Sequence, residues 1–374
     1  MTQTDKKQYK IIISGGGTGG HIFPALAVAN EIISRKPDSS ILFIGAKGRM
    51  EMEKVPLEGF DIIGLDVVGI QRSFSFNAII KNIKFPFLLL KSLKNAKKII
   101  KDFRPDIVVG FGGYASGPTL KVANKLGIPT LIQEQNSYAG LTNKWLSSKA
   151  SKICVAYEKM DKFFKSDKIT ITGNPVRKDI INVASKRDEA IRYFKLNNDE
   201  KVILILGGSL GAKSINEGIL KSLDLVKNKS LKVLWQVGKR YIDDVNASLS
   251  NRINKNISVM AFIKRMDLAY AASDVVISRA GALSISEIST CAKASVLIPS
   301  PNVSEDHQTK NALYLVDKNA ALIVKDNETE KALETAINLL EHPEKLKTIE
   351  NNVKHLAKPN ACQHIVDEIF NVLV

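Results

Sequence analysis

Cysteine is scarce in this sequence, with three cysteines among 374 residues. Cys154, Cys291 and Cys362 lie far apart and show no CxxC or Cys/His spacing. This spacing argues against a disulfide framework or a zinc site and fits a reducing compartment. We interpret all three as small buried hydrophobic residues.

Long apolar runs are also missing. No stretch approaches the roughly 20 residues that a helix needs to span a bilayer. Residues 1–10 are polar and lead directly into a strand-like run, so we expect no signal peptide. Hydrophobic residues make up 44% of the chain and charged residues 25%, as in an ordinary globular protein. The length predicts two domains of ordinary size.

Acidic residues are outnumbered, with 38 Asp and Glu against 54 Lys and Arg, a net charge of +16. Such a chain should be attracted to polyanions, either nucleic acid or an anionic membrane. Residues 71–101 contain no acidic residue and mix lysines with bulky apolar side chains. This mixture favours an anionic lipid surface, with Phe85, Phe87 and Leu88 as membrane contacts. A solvated basic helix is the alternative, and we expect no nucleic-acid partner because no binding module is present.

Short apolar runs alternate with amphipathic helical stretches along the whole chain. This pattern is typical of parallel strands covered on both faces by helices. The predicted strands are residues 10–14, 41–44, 106–110, 130–132, 152–155, 169–172, 202–206, 232–236, 257–260, 275–278, 295–298 and 321–324. The predicted helices are residues 23–34, 116–126, 214–223, 283–291, 306–316 and 328–340. Because the scheme occurs twice, we predict two doubly wound α/β domains. The final segment, residues 361–374, could fold back on either domain.

Each predicted domain begins with a strand that runs into a glycine cluster, at residues 15–20 and 207–211. Glycines let the backbone approach a ligand, and the helix that follows presents unpaired N–H groups to an anion. A tight turn without a ligand is the alternative for both clusters. His21 closes the first cluster and is our candidate for a general base, because histidine titrates near neutral pH. A histidine that caps or packs is the other interpretation.

Three further segments follow predicted strands. At residues 279–287 a helix start rich in small residues fits a diphosphate, and Glu287 fits the hydroxyls of a ribose. An exposed glutamate without a ligand is the alternative there. Residues 110–118 and 133–136 follow two strands of the first domain. Ligands collect at the carboxyl ends of such strands.

Taken in order, these motifs resemble the MurG family, the bacterial N-acetylglucosaminyltransferases of peptidoglycan synthesis. The resemblance runs from residue 15 to residue 312. The segments that carry it are GGTGGHIFPA at 16–25, GGYASGP at 112–118, EQN at 134–136, AGLTNK at 139–144, GNPVR at 173–177, GGS at 207–209 and GALSISE at 281–287.

The resemblance implies the GT-B architecture, two Rossmann-like doubly wound parallel-sheet domains facing a cleft. Residues 1–177 with 355–374 would form the acceptor- and membrane-binding domain, and residues 178–354 the UDP-sugar-binding domain. The implied reaction moves N-acetylglucosamine, with inversion, from its UDP donor to the C4 hydroxyl of undecaprenyl-diphosphate-linked muramyl-pentapeptide. The implied location is peripheral, on the cytoplasmic face of the cell membrane, with cell-wall synthesis proteins as possible partners.

The resemblance also implies roles for individual residues. The implied donor-binding residues are Thr18, Gly19, Gly20, Asn136, Arg177, Ser209, Ile263, Ala282, Leu283, Ser284, Ile285, Ser286, Glu287 and Gln308. The implied acceptor-binding residues are Gly112, Gly113, Tyr114 and Ser116. We expect no metal and no cofactor, because no Asp-x-Asp motif follows a strand and helix N-termini with Arg177 can stabilise the departing UDP.

One departure from the family pattern concerns the sugar contacts. The family often has two adjacent glutamines where this sequence has His307 and Gln308. Four alternatives compete with the family function: a diacylglycerol glycosyltransferase, a UDP-sugar epimerase, a catalytically silent membrane scaffold and a nicotinamide-dependent oxidoreductase. The segment at 112–118 argues against the diacylglycerol transferase and the epimerase, because it matches the peptidoglycan enzymes. The silent scaffold is disfavoured by the polar residues that the sequence retains: His21, Arg177, Glu287 and Gln308. The oxidoreductase would need a spaced glycine fingerprint and an acidic residue at a strand end, and residues 43–45 offer neither.

Overall fold

The computed structural model describes residues 8–67, 76–208, 210–227, 229–250 and 255–374. The predictions for Ser209 and for the side chains of residues 71–84 lie outside the described residues. The chain divides into two compact units, Met1–Pro175 with Asn360–Val374, and Val176–Pro359. The expected boundaries were after residue 177 and before residue 355.

The first unit contains a parallel sheet of seven strands in the order β3-β2-β1-β4-β5-β6-β7. Its strands are β1 (Lys10–Ser14), β2 (Ser40–Ala46), β3 (Asp61–Leu65), β4 (Ile107–Gly110), β5 (Thr130–Glu134), β6 (Lys152–Val155) and β7 (Ile169–Ile171). Its helices are α1 (Gly19–Arg35), α2 (Glu51–Leu57), α3 (Phe76–Phe103), α4 (Ser116–Lys125) and α5 (Leu141–Ser147).

The second unit contains a parallel sheet of six strands in the order β10-β9-β8-β11-β12-β13. Its strands are β8 (Lys201–Leu206), β9 (Leu231–Gln236), β10 (Ile257–Met260), β11 (Val275–Arg279), β12 (Ala294–Ile298) and β13 (Leu322–Ile323). Its helices are α6 (Arg187–Phe194), α7 (Lys213–Ser222), α8 (Ile242–Leu249), α9 (Met266–Ala272), α10 (Ala282–Thr290), α11 (His307–Val316), α12 (Lys331–Leu340) and α13 (Pro343–His355).

The last helix, α14 (Ala361–Leu373), belongs to the first unit. It packs against α1, and Asp367 accepts a hydrogen bond from Arg35. Successive residues of β1 face opposite sides of the sheet, as strand geometry requires. Ile11 and Ile13 pack in the cluster that contains α1 and α14, whereas Ile12 packs in the cluster that contains α3 and α4.

Both sheets are parallel and lie between helices, which confirms the predicted doubly wound α/β class. Every predicted strand occurs, with small shifts at its ends. The sequence analysis missed β3, because Leu65 is its only buried residue and the run is not continuously apolar. It also missed the helices of seven or eight residues, which are too short for a clear amphipathic pattern: α2, α5, α6, α8 and α9. The last of these is moreover buried on all sides and therefore has no amphipathic period. No helix within the described ranges is long and apolar enough to cross a membrane.

Candidate functional site

In a doubly wound sheet, ligands bind beyond the carboxyl ends of the strands, where the strand order reverses. This switch point lies between β1 and β4 in the first unit and between β8 and β11 in the second. The glycine clusters at 15–20 and 207–211 follow β1 and β8, and the segments at 110–118 and 279–287 follow β4 and β11. The predicted motifs therefore lie in pairs, one pair at the switch point of each unit.

The loop after β1 needs glycine for conformation and for space. Gly16 has φ 153° and Gly17 has φ 84°. A Cβ atom on Gly16 would lie 2.1 Å from Oε1 of Glu51. A Cβ atom on Gly113, in the loop after β4, would lie 2.3 Å from the Gly16 carbonyl oxygen. The two loops are thus packed backbone against backbone.

Glu51, which the sequence analysis missed, binds the backbone of this loop through its carboxylate. It begins α2 and is fully buried. Its carboxylate accepts hydrogen bonds from Gly17 N–H, at 3.1 and 3.0 Å to its two oxygens, and from Ala46 N–H at 3.0 Å. Hydrogen bonds from amides to a charged carboxylate are among the stronger ones in proteins.

His21 lies in the first turn of α1, half-buried beside the loop after β4. Its Nδ1 atom lies 3.0 Å from the Gly16 carbonyl oxygen and 3.2 Å from Thr18 Oγ1. A carbonyl oxygen only accepts hydrogen bonds, so Nδ1 must carry the proton. In the neutral ring this leaves the lone pair on Nε2, the form that a general base requires.

The predicted donor residues of this loop lie at the start of α1. Thr18 is the N-cap residue, and its hydroxyl makes no cap hydrogen bond. Gly19 and Gly20 form the first turn, whose N–H groups have no acceptor within the helix. This helix start therefore offers backbone donors to an anion, as the sequence predicted.

The four predicted acceptor residues after β4 differ in accessibility. Tyr114 is exposed, Gly113 is half-buried and Gly112 packs against the His21 ring. The Ser116 side chain is fully buried, and its hydroxyl lies 2.7 Å from the Ser14 carbonyl oxygen and 2.8 Å from that of Gly112. Ser116 thus joins the loops after β1 and β4 in this structure, while an acceptor contact by it stays a prediction.

A second buried carboxylate, Glu134, organises the loop after β5. Its oxygens accept hydrogen bonds from the N–H groups of Asn136, at 3.1 Å, and Gly140, at 2.9 Å. They also accept from the side-chain amides of Asn136 and Asn143. The predicted donor residue Asn136 is therefore oriented by Glu134. Gln135, directly after β5, donates to the Phe111 carbonyl oxygen at 2.8 Å and so supports the loop after β4.

In the second unit, the glycine loop after β8 is tied to the segment after β10. Gln236 is buried at the end of β9 and donates to the Gly208 carbonyl oxygen at 3.0 Å. Its side-chain oxygen accepts a hydrogen bond from Ile263 N–H at 2.8 Å. Ile263 is one of the predicted donor-binding residues, and its N–H is occupied by Gln236. The sequence analysis missed Gln236.

The helix after β11 begins without a side-chain cap. Its N-cap residue is Gly281, whose carbonyl accepts the first intrahelical hydrogen bond, from Ile285 N–H at 2.9 Å. The N–H groups of Ala282, Leu283 and Ser284 precede that first bond, so no intrahelical acceptor serves them. Ser286 lies half-buried on the following turn. The start of α10 therefore presents backbone N–H donors, while the binding of a diphosphate there stays a prediction.

Glu287 and Arg177, both predicted donor residues, are paired with each other. Arg177 Nε donates to Glu287 Oε1 at 3.0 Å, and the hydroxyl of buried Tyr270 donates to Glu287 Oε2 at 3.2 Å. Burial raises the pKa of Glu287, although Arg177 opposes the shift. Burial works against the Arg177 charge, but Glu287 raises the pKa of Arg177. Burial and the Glu287 charge raise the pKa of Tyr270, which keeps its hydroxyl a donor.

Gln308 lies in the first turn of α11, next to His307. Its side-chain oxygen accepts a hydrogen bond from Ser300 N–H at 2.9 Å, which fixes the amide within the loop that precedes the helix. Glu305 and Asp306 have positive φ angles of 58° and 50°. The loop is therefore tightly turned at the point where the sequence departs from the family pattern.

The predicted membrane residues lie on α3 and are not equally exposed. Phe87 is 74% exposed, whereas Phe85 and Leu88 are half-buried. Leu90, which was not predicted, is 65% exposed on the same face. The lysines at 91, 94, 97, 98 and 101 are exposed along the helix. Within the described part of the chain, no group of three His, Cys, Asp or Glu residues could hold a metal ion.

The comparisons with known proteins agree across nearly the whole chain. The model of the glycosyltransferase family 28 N-terminal domain matches residues 11–155, and that of the C-terminal domain matches residues 202–365. A Flavobacterium psychrophilum protein named UDP-N-acetylglucosamine–N-acetylmuramyl-(pentapeptide) pyrophosphoryl-undecaprenol N-acetylglucosamine transferase is 51% identical over 368 residues, 98% of each chain. A Parabacteroides distasonis protein of the same name is 52% identical and covers 98% of this chain and 99% of its own.

Among solved structures, Acinetobacter baumannii MurG is similar to this chain with a TM-score of 0.76 and 31% sequence identity. The match covers 98% of this chain and 100% of the other.

Proposed function

The chain belongs to glycosyltransferase family 28, and from this premise we propose that it transfers N-acetylglucosamine from UDP-N-acetylglucosamine to undecaprenyl-diphosphate-linked N-acetylmuramyl-pentapeptide. Relatives that carry this activity in their names, at about half identity over nearly the full length, support both substrates. In the proposed reaction, the C4 hydroxyl of the muramyl sugar attacks the anomeric carbon with inversion.

The observation that carries the proposal is the state of His21. Its Nδ1 proton is directed at the Gly16 carbonyl oxygen, so the Nε2 lone pair is the one that receives the acceptor's hydroxyl proton. As the new glycosidic bond forms, the bond between the anomeric carbon and the UDP oxygen breaks, and its electron pair leaves with the diphosphate.

The second unit supplies the groups for the donor. The amides at the start of α10 suit the growing charge on the diphosphate. Glu287 is proposed to accept hydrogen bonds from the ribose, with Arg177 adding positive charge beside it. Because these groups supply the charge stabilisation, the proposed reaction needs no metal, and EDTA should leave its rate unchanged.

The other candidate activities are less well supported. A diacylglycerol transferase and an epimerase would share the fold, but relatives at about 50% identity are named for the muramyl-pentapeptide acceptor. A silent scaffold would not need the His21 proton to be fixed on Nδ1 by a carbonyl oxygen.

A radiolabel transfer assay tests the proposal. Purified protein is mixed with labelled UDP-N-acetylglucosamine and the lipid-linked muramyl-pentapeptide, with His21→Ala as the variant. We expect transfer to the acceptor, and a loss of at least about 100-fold in the variant without loss of UDP binding. Binding of UDP without transfer would assign a different acceptor, and absence of both would favour the scaffold.

The proposal also includes peripheral binding to the cytoplasmic face of the cell membrane through α3. Phe87 and Leu90 stand out from the helix, with Lys94 and Lys98 further along the same face. Apolar side chains beside lysines suit an anionic lipid surface. Binding of cell-wall synthesis proteins remains part of the proposal without a surface assigned to it.

Vesicle sedimentation tests this membrane contact. The double variant Phe87→Ser and Leu90→Ser should bind anionic vesicles at least about 30-fold more weakly, since each buried apolar side chain contributes on the order of 1 kcal/mol or more. Turnover of a short-chain soluble acceptor should be unchanged. Tyr193→Ser, at a similarly exposed ring in the second unit, is the control. Equal vesicle binding by all three proteins would refute the α3 contact.

A further inference from the structure

One peptide group stands between Glu51 and His21. The N–H of Gly17 and the C=O of Gly16 belong to the same planar amide, whose donor and acceptor point in opposite directions. The N–H donates to both oxygens of Glu51, and the C=O accepts the Nδ1 proton of His21 at 3.0 Å. The order of groups is therefore carboxylate, peptide, imidazole.

Glu51 is built into this position. Its side chain is fully buried, although a buried carboxylate is costly unless it is hydrogen-bonded. A Cβ atom on Gly16 would lie 2.1 Å from Glu51 Oε1, and one on Gly45 would lie 2.6 Å from its Cγ. Two glycines on separate segments thus leave the space that the carboxylate fills.

We propose that Glu51 is a positioning residue that acts on His21 through the Gly16–Gly17 peptide. It fixes the proton of the neutral ring on Nδ1 and stabilises the imidazolium that forms when Nε2 accepts a proton. Hydrogen bonds in a chain polarise one another, so a negative group at the N–H makes the carbonyl at the other end a better acceptor. The catalytic consequence rests on the proposed function, in which His21 is the general base.

Other charged groups around this chain have partners of their own. Glu134, from the neighbouring β5, is bound by Gly140 N–H and by the Asn143 side chain. Lys47, which follows β2, pairs with Asp66 after β3 at 3.0 Å. Glu53, on α2, pairs with Lys54. These charges act on His21 as a constant background in a variant that changes only Glu51.

The test compares the full-length wild-type protein with Glu51→Gln, which keeps the shape and removes the charge. Histidine is labelled with nitrogen-15, and the ring signals are followed by NMR as a function of pH. His21→Ala identifies the His21 signals among the five histidines. In wild type, His21 should show the Nδ1–H tautomer. In Glu51→Gln the titration midpoint of His21 should move to lower pH by roughly one unit, the size expected when a unit charge on the far side of one peptide group is removed.

Kinetics provide the second measurement. Glu51→Gln should lower kcat about tenfold with little change in KM for UDP-N-acetylglucosamine, and the acidic limb of the pH profile should follow the NMR midpoint. Glu53→Gln, on the same helix at an exposed site, should change neither. A structural role alone would lower thermal stability without moving the His21 midpoint.

The two measurements separate this proposal from the proposed function. A Glu51→Gln protein that folds and titrates at His21 like wild type would overturn it, as would an Nε2–H tautomer in wild type. Because the wild-type tautomer is measured without any variant, an Nε2–H ring would overturn the proposal even if Glu51→Gln fails to fold. If wild type shows no transfer and the NMR shift still occurs, the coupling stands and the assigned reaction fails.

Discussion

Replacing Glu287 by glutamine should make the protein more stable at neutral pH and a weaker binder of UDP. The Glu287 side chain is 16% exposed, and its two oxygens are bound by Arg177 and by Tyr270. Burial raises the pKa of this carboxyl, which means that the folded protein disfavours its charged form. Glutamine keeps the shape and removes the charge.

The size of the effect follows from which partners remain satisfied. The glutamine oxygen can accept from Arg177, and its amide can donate to the Tyr270 hydroxyl, which also accepts. Arg177 is 46% exposed, so water solvates its charge once the carboxylate is gone. Removing one partner of an ion pair is costly where the remaining charge is left buried, and the exposed Arg177 escapes that cost, so we expect a gain of about 1 kcal/mol at most. This corresponds to a rise in Tm of roughly 2–4 °C in a domain of this size.

The sign of the pH dependence is fixed by linkage. The folded pKa of Glu287 lies above the unfolded one, so its contribution to stability is greatest below the unfolded pKa. That contribution is lost as the pH rises through the folded pKa. The advantage of Glu287→Gln should therefore be absent near pH 4 and grow toward pH 8.

Thermal melts of wild type, Glu287→Gln and the exposed control Glu334→Gln across this pH range measure the effect. Calorimetry with UDP should show affinity reduced about fivefold to tenfold, since hydrogen bonds to a charged acceptor exceed neutral ones by roughly 1 kcal/mol. If wild type gains stability relative to Glu287→Gln as the pH rises, the burial argument is refuted.

Three other substitutions test the supports of the site. Gly211→Ala should lower the free energy of unfolding by about 1–3 kcal/mol, because φ is 81° and the new Cβ would lie 2.1 Å from a carbonyl oxygen. Asp267→Asn should lose about 2 kcal/mol at pH 7 in urea melts, since the hydrogen bond from Arg265 lowers the pKa of Asp267. That loss should shrink as the pH falls below about 4, where the wild-type contribution is also lost. Glu134→Gln should speed amide exchange in the loop it holds, and unchanged exchange would contradict its assigned role.

The features that the sequence predicted are those encoded locally. Val202–Leu206 is a continuous apolar run, and the glycine clusters at 15–20 and 207–211 end β1 and β8 in a turn. Neither needs knowledge of a distant partner. Elements without a clear local pattern were missed. The strand β3 lies at the edge of its sheet with one buried residue, and α9 has no exposed face and therefore no alternation of apolar and polar residues.

Three residues to which the sequence analysis gave no supporting role hold the site from a neighbouring strand. Glu51, which follows β2, binds the loop after β1, and Gln135, which follows β5, binds the loop after β4. Gln236, at the end of β9, binds the loop after β8. Each partner lies at least 24 residues away along the chain.

These three contacts follow a common physical rule. A loop at a switch point must expose its N–H groups to a ligand, so it cannot satisfy its own backbone with regular structure. The adjacent strand ends at the same edge of the sheet, and a polar side chain there is the nearest group able to bind the loop. Once the doubly wound strand order is assumed for each unit, a buried polar residue at or just beyond the end of β2, β5 or β9 becomes a predicted loop support. Topology therefore supplies what residue spacing alone cannot.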